Sequence, residues 1–255
     1  MKSYITDRSE ISINFKYPDF NDSLFVELRK MTNINLDNLS EIDKMREISG
    51  YAHSLFSHGN DKSSLLNPIT IIEEARKGKS FRCVEHSFLG AGLLWAYGIP
   101  ARTIGLKTKD VETREVYAGH YTIEFWNYEF KKWIMIDVQF GIIPKYKEGF
   151  LSAFELGEKL DQGLPVKYIP IVKSRFSSEK NSKEYTEWIH KYLYFFDTFL
   201  NLKLNTTEEN RFSDKRVMLI PLGVNPPKVF QRIFPINAIY THSVLDFYSL
   251  FQNKI

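Results

Sequence analysis

Cys83 is the single cysteine of this chain, and its setting is that of a nucleophile. It follows the glycine-punctuated stretch Lys77-Gly78-Lys79-Ser80-Phe81-Arg82 and opens an apolar run, Val84 to Tyr97, that stops at Gly98-Ile99-Pro100. Downstream, His120 heads an alternating segment and Asp137 closes the next apolar one. A thiol at a helix start, an imidazole and a carboxylate together make up the set that thiol acyl chemistry requires. The helix dipole and a neighbouring imidazolium lower a thiol pKa from about 8.5 into the ~3.5–7.5 range. Arg82 adds positive charge at this point and Glu85 opposes it. Asp137 lies between Ile136 and Val138, where a carboxylate is costly unless it has a partner. A hydrogen bond to His120 supplies one and fixes the ring's tautomer.

The elements that must position these groups are legible from spacing. A helix is predicted over Glu41 to Phe56, with Ile42, Met45, Ile48, Ala52 and Leu55 at intervals of three and four. Another is predicted over Pro68 to Lys77, capped by Asn67. Val84 to Tyr97 is apolar nearly all round and reads as a buried helix, with Ser80 as its candidate N-cap and Gly98 as its stop. Strands are predicted over Ala101 to Lys107, Gly119 to Asn127 and Lys132 to Val138, with a charged loop from Lys107 to Tyr117. Closing the last turn between Asn127 and Phe130 makes His120 and Asp137 direct cross-strand partners, with Cβ atoms roughly 4.5–5.5 Å apart. His120, Thr122, Glu124 and Trp126 share one face of that strand, which offers Glu124 and Trp126 either to the cleft or to packing.

Four segments carry a family resemblance: Ser80-Phe81-Arg82-Cys83-Val84-Glu85-His86, Gly98-Ile99-Pro100-Ala101-Arg102, Gly119-His120-Tyr121-Thr122-Ile123-Glu124, and Lys132-Trp133-Ile134-Met135-Ile136-Asp137. Over about residues 45–160 the chain resembles the core of the transglutaminase-like superfamily. The resemblance implies an α+β, papain-like fold with the cysteine helix packed on an antiparallel sheet. It implies Cys83 as nucleophile, His120 as base and Asp137 as orienting acid, acting on amide or thioester carbonyls by transamidation or hydrolysis. The family often has proline after this aspartate; here Val138-Gln139-Phe140-Gly141 follows. That stretch is similar to the corresponding one in arylamine N-acetyltransferases, which share the triad and use acetyl-coenzyme A. A non-catalytic binding module on the same fold is the third reading.

The expected division is an N-terminal segment 1–44, a catalytic core 45–164 and a C-terminal extension 165–255 of unknown role. In the extension, Tyr185 to Leu200 follows helical spacing, while Val217 to Ile220 and Val229 to Tyr240 look extended. A helix is also expected over Leu151 to Leu160. His86, three residues from Cys83, is a rival base without a carboxylate to orient it; His53, His58, His190 and His242 have no evident partner. Cys83 with His86 falls short of a four-ligand zinc site, and no glycine-rich phosphate loop appears, so neither metal nor cofactor is expected. The 255 residues carry 34 basic and 31 acidic side chains, a balance that speaks against nucleic acid as partner. The expected partner is a protein, peptide or small amide substrate. One cysteine excludes an intrachain disulfide framework, no apolar stretch has spanning length, and a cytoplasmic location without membrane contact is expected.

Overall fold

Side-chain caps define where the first helices start. Asp22 opens α1 (Ser23–Thr32), Ser40 opens α2 (Glu41–Ser54), and a short strand β1 (His58–Asp61) follows. Asn67 accepts the Ile69 N–H to open α3 (Pro68–Arg76), with proline at the start, where its missing N–H is harmless. The cysteine helix is α4 (Cys83–Ala96). The computed structural model describes residues 2–7, 13–16, 18–172, 179–202 and 204–249.

Helix α4 is the centre of one core. From Val84 to Ala96 every residue is buried, Glu85, His86 and Ser87 included, as expected of a helix apolar nearly all round. Gly90 and Gly92 let it approach its neighbours closely: a Cβ on Gly90 would lie 2.8 Å from Val138, and one on Gly92 2.3 Å from Pro68. The helix ends in a Schellman arrangement, with Gly98 at φ +80 and the Ile99 N–H on the Leu94 carbonyl at 2.9 Å. Its start differs from expectation. Ser80 and Phe81 are drawn to β1 by backbone pairing, so Arg82 takes the N-cap position, and Cys83 is the first helical residue. Glu85 reaches back to the Arg82 N–H at 3.2 Å, the returning half of a capping box.

After α4 come β2 (Ala101–Lys107), β3 (Gly119–Asn127), β4 (Lys132–Ile136), β5 (Ile142–Tyr146) and β6 (Gly149–Phe150). Then follow α5 (Ala153–Asp161), β7 (Lys167–Pro170), α6 (Glu179–His190) and β8 (Phe195–Phe199). The chain continues through α7 (Glu208–Ser213), β9 (Arg216–Leu219), β10 (Val229–Phe230), β11 (Phe234–Pro235), β12 (Ala238–Thr241) and α8 (Val244–Phe247). The main sheet runs β12-β9-β8-β2-β3-β4, antiparallel except for the β9–β12 pair. The class is α+β, and α4 packs on this sheet as expected, against β3 and β2. One apolar cluster joins α1 to α4 to one face; another, including Ile104, Leu106, Phe154, Leu156, Ile189 and Phe247, fills the opposite side.

Two expectations need correction. The helical spacing through Leu200 holds only to His190; Phe195 to Phe199 is a strand buried along its whole length, between β2 and β9. A short strand buried on both faces, with Phe195, Phe196 and Phe199 as its apolar residues, cannot be told from a buried helix segment by periodicity. The extended run Val229 to Tyr240 is broken by turns into three short strands. Residues from the expected extension therefore supply β8, β9 and β12 to the same sheet that carries β2 and β3.

Candidate active site

Three elements converge on one cleft of about 1070 Å³. Helix α4 presents Cys83 at its first position, β3 presents His120 one residue after its start, and Asp137 follows the end of β4. His120 Nε2 lies 2.7 Å from Asp137 Oδ2, both side chains buried. Cys83, His120 and Tyr121 line the same cleft, and the imidazole and the Tyr121 backbone are the polar groups that act on the thiol. All three predicted residues are brought together.

The pairing behind this contact is not the one expected. Asn127 pairs with Lys132 and Ile123 with Ile136, a register moved by two residues, so the turn encloses Tyr128 to Lys131. Lys131 adopts φ +49 to close it. Because the shift is even, every side chain keeps its face. Asp137 then lies diagonal to His120 rather than directly opposite, and its side chain spans the offset. β4 ends at Ile136, two residues early, because Asp137 enters a tight turn: its N–H meets the Ile142 carbonyl at 2.9 Å, and Gly141 sits at φ +66. The Val138-Gln139-Phe140-Gly141 sequence builds that turn and aims the Phe140 N–H at Asp137 Oδ1, 3.2 Å away.

Asp137 has another donor that the sequence did not reveal. The Tyr185 hydroxyl, from α6, donates to Asp137 Oδ2 at 2.8 Å. Burial and the Asp137 charge push the Tyr185 phenol well above its ordinary range, so it stays a donor. Tyr185→Phe should lower stability at pH 7 by about 1.5–3 kcal/mol, the usual size of a hydrogen bond to a charged group, as read by urea denaturation.

The electrostatics follow from these contacts. Burial alone drives the His120 imidazole down, but the charge and hydrogen bond of Asp137, with the thiol as second partner, hold it up at about 10. Burial pushes the Cys83 thiol up; the His120 hydrogen bond and charge and the Tyr121 backbone outweigh it, and the thiol lies below its ordinary value. Arg82 and Glu85 cancel rather than compete, paired at 2.6 Å.

The other histidines are placed away from this role. His86 is buried with neither ring nitrogen hydrogen-bonded, and burial and nearby His53 press its pKa down to about 3. His53 Nδ1 lies 2.8 Å from the Val138 carbonyl, His190 pairs with Asp161 at 2.8 Å, and His242 Nδ1 lies 3.0 Å from the Ile220 carbonyl. His58 and His53 line the cleft, and His58 takes a backbone hydrogen bond with Phe81. Each of these four thus has a partner that sequence alone did not supply. Glu124 does not line the cleft; farther along the same face of β3 it pairs with Arg102, and Trp126 packs edge-on against Trp133.

One wall of the cleft comes from beyond residue 165. Trp188 and Tyr192 stand over His120 with ring centroids 4.9 and 6.2 Å away, and Phe140 lies 6.0 Å from it. Glu208, Arg211 and Phe212 from α7, with Phe230 and Phe234, form the facing side. The interval from Tyr185 to Trp188 and Tyr192 was visible as helical spacing, but nothing in it says that this face meets His120. Among the described residues, no three of His, Cys, Asp and Glu gather as metal ligands would, and no helix is long and apolar enough to cross a membrane.

No protein-family model matches this chain. No curated protein matches it either. A solved structure to which it is similar is that of a Cytophaga hutchinsonii protein described as a candidate cysteine protease, at 17% identity and a TM-score of 0.37. The aligned region spans 48% of this chain and 40% of the other. At that level of similarity the relation is a resemblance of part of the chain.

Proposed function

We propose that this chain is a cysteine-dependent acyl enzyme of transglutaminase-like, papain-like architecture, acting on amide or thioester carbonyls. The observation that carries the reading is one imidazole held by a buried aspartate in the same large cleft as the thiol at a helix start.

In this reading Cys83 is the nucleophile, His120 the acid–base and Asp137 the group that orients it. The Cys83 thiolate adds to the carbonyl carbon, and the carbon–oxygen π pair moves onto oxygen. The Cys83 N–H is free of intrahelical bonding at the first helical position and donates to that oxyanion. The intermediate collapses with cleavage of the carbon–nitrogen bond, and His120 delivers its proton to the departing amine. The thioester left on sulfur is resolved by water, giving hydrolysis, or by an amine, giving transamidation; His120 takes the incoming proton in either case. The aromatic wall of Trp188, Tyr192 and Phe140 shields the ring from bulk water.

The test is the pH dependence of Cys83 alkylation by iodoacetamide together with amide turnover. A depressed thiol pKa means that thiolate persists as the pH drops below about 8.5 and is lost only at its own lower pKa. A raised imidazole pKa means that the ring stays protonated until the pH climbs through about 10. The productive ion pair therefore occupies the interval between the two. Rapid, selective labelling at pH 7 and turnover that falls off near pH 10 are expected. A labelling profile with the midpoint of an ordinary thiol, about 8.5 or above, would contradict the reading.

A further inference from the structure

Charge does not balance on the cleft wall formed by α7 and the strands beneath it. Arg82 Nη1 meets Glu208 Oε1 at 2.9 Å and its Nη2 meets Glu85 at 2.6 Å. Arg211 gives Nε and Nη2 to the same Glu208 at 3.1 and 3.0 Å. Arg216 Nη1 contacts Asp197 at 3.2 Å and the Tyr121 hydroxyl oxygen at 2.8 Å, while Lys107 pairs with Asp197 as well. Four cationic side chains thus share three carboxylates. The exposed Lys62, 3.8 Å from Glu208, adds a further positive charge. The Arg211 and Arg216 side chains are each 6% exposed, so water does little to offset the excess. The groups acting on these two arginines are Glu208, Asp197, the Tyr121 phenol and, on Arg216, Arg211 itself. Asp137 is committed to His120 and Tyr185.

The surplus lies where a ligand could use it. Arg211 and Tyr121 line the cleft that holds Cys83, and both also line a side pocket of about 30 Å³ whose other walls include Phe212 and Phe230. That volume accommodates roughly two water molecules, the bulk of two carboxylate oxygens. Tyr121 follows His120 on β3 and lines the cleft beside Cys83, while its hydroxyl meets Arg216, so one residue connects the reacting site to the charged wall.

We propose that this wall is a recognition site for a carboxylate on the substrate, seated against Arg211 and Tyr121 beside Cys83. The proposal rests on the cleft being the site of acyl chemistry and adds the substrate class: an acyl donor bearing a carboxylate near the scissile carbonyl. Glu208 is then the resident carboxylate that holds the two guanidinium groups apart, and the substrate brings the missing negative charge. Phe212 and Phe230 exclude water around the contact, which strengthens it.

The experiment uses the full chain carrying Cys83→Ala, which cannot react, and calorimetric titration with N-acetyl-Gly-Glu-Gly amide, its Gln and Lys counterparts, and the Gln peptide with a free C-terminal carboxylate. The Glu peptide should bind about tenfold or more tighter than the Gln peptide. Arg211→Gln should remove that preference and Glu208→Gln should widen it. If Arg211→Gln does not fold, Glu208→Gln decides alone, since a narrowed preference there overturns the proposal. Equal affinity for both the Gln amide peptide and the two carboxylate peptides, or preference for the Lys peptide, overturns it outright. Tighter binding of the free-acid peptide than of the Glu amide supports the site and assigns the carboxylate to a chain terminus. Failure of the catalytic reading shows separately, as absence of rapid Cys83 alkylation in the unmodified chain.

Discussion

His120→Ala is expected to reduce amide turnover by about 10²–10⁴-fold, the span contributed by a positioned acid–base group, and to slow alkylation of Cys83 at pH 7 as well. The second effect separates this residue from one that merely holds substrate. The sulfur's depressed pKa depends on the His120 hydrogen bond and charge acting against burial. Without them burial prevails and the thiol returns to or above its ordinary value, near 8.5, where only about 3% is thiolate at pH 7. Alkylation should therefore fall by an order of magnitude or more while the fold, followed by circular dichroism, is retained. His86→Leu is the matched control. His86 is buried, its ring nitrogens have no hydrogen-bond partners, and with a pKa of about 3 it is neutral across the working range. An apolar replacement of similar size should leave alkylation unchanged. Loss of labelling in His86→Leu with retention in His120→Ala would transfer the role of base to His86.

The candidate triad was legible because each member sits at an element boundary that local chemistry marks: a glycine-and-proline stop after the helix, an alternating strand, and a carboxylate in an apolar run. Direct pairing of His120 with Asp137 was not the outcome, but the observed register differs from the expected one by two residues, and an even shift keeps both on one face. What stayed hidden has a common physical cause. Tyr185, Trp188, Arg211 and Arg216 reach the cleft or its partners only through long-range packing, and no local pattern encodes which face of α6 or α7 meets β3. Asp197 illustrates the difficulty. Lying within the segment read as helical, it is a buried strand residue held by Lys107 and Arg216, which come from β2 and β9.

Glu124→Ala is expected to destabilise the protein by about 3–5 kcal/mol, the cost of leaving a buried charge without its partner. Arg102 and Glu124 both have 0% exposed side chains, and the guanidinium Nε and Nη2 lie 3.0 and 2.7 Å from Glu124 Oε2. The remaining groups are also satisfied. Glu124 Oε1 accepts from the Ala153 N–H at 2.8 Å and the Tyr248 hydroxyl at 2.9 Å, while Arg102 Nη1 donates to the Phe247 carbonyl at 2.9 Å. Trp133, Phe247 and Tyr248 lie 4.5–4.8 Å from the guanidinium carbon, so water cannot replace the lost carboxylate. The single variant should lower the melting temperature by roughly 10 °C for a chain of this size. Replacing both partners by apolar residues, Arg102→Met with Glu124→Leu, should cost less than Glu124→Ala alone, because no charge is then left buried. Urea denaturation of the two variants decides the matter: a double variant less stable than the single one would mean that the pair is itself a net source of stability. The pair ties β2 and β3 to the start of α5 and the end of α8, so its loss should loosen the late segments together with the sheet that carries His120. The Glu124→Ala chain should accordingly lose rapid Cys83 alkylation at a urea concentration below that needed for the unmodified protein, although Glu124 touches neither Cys83 nor His120.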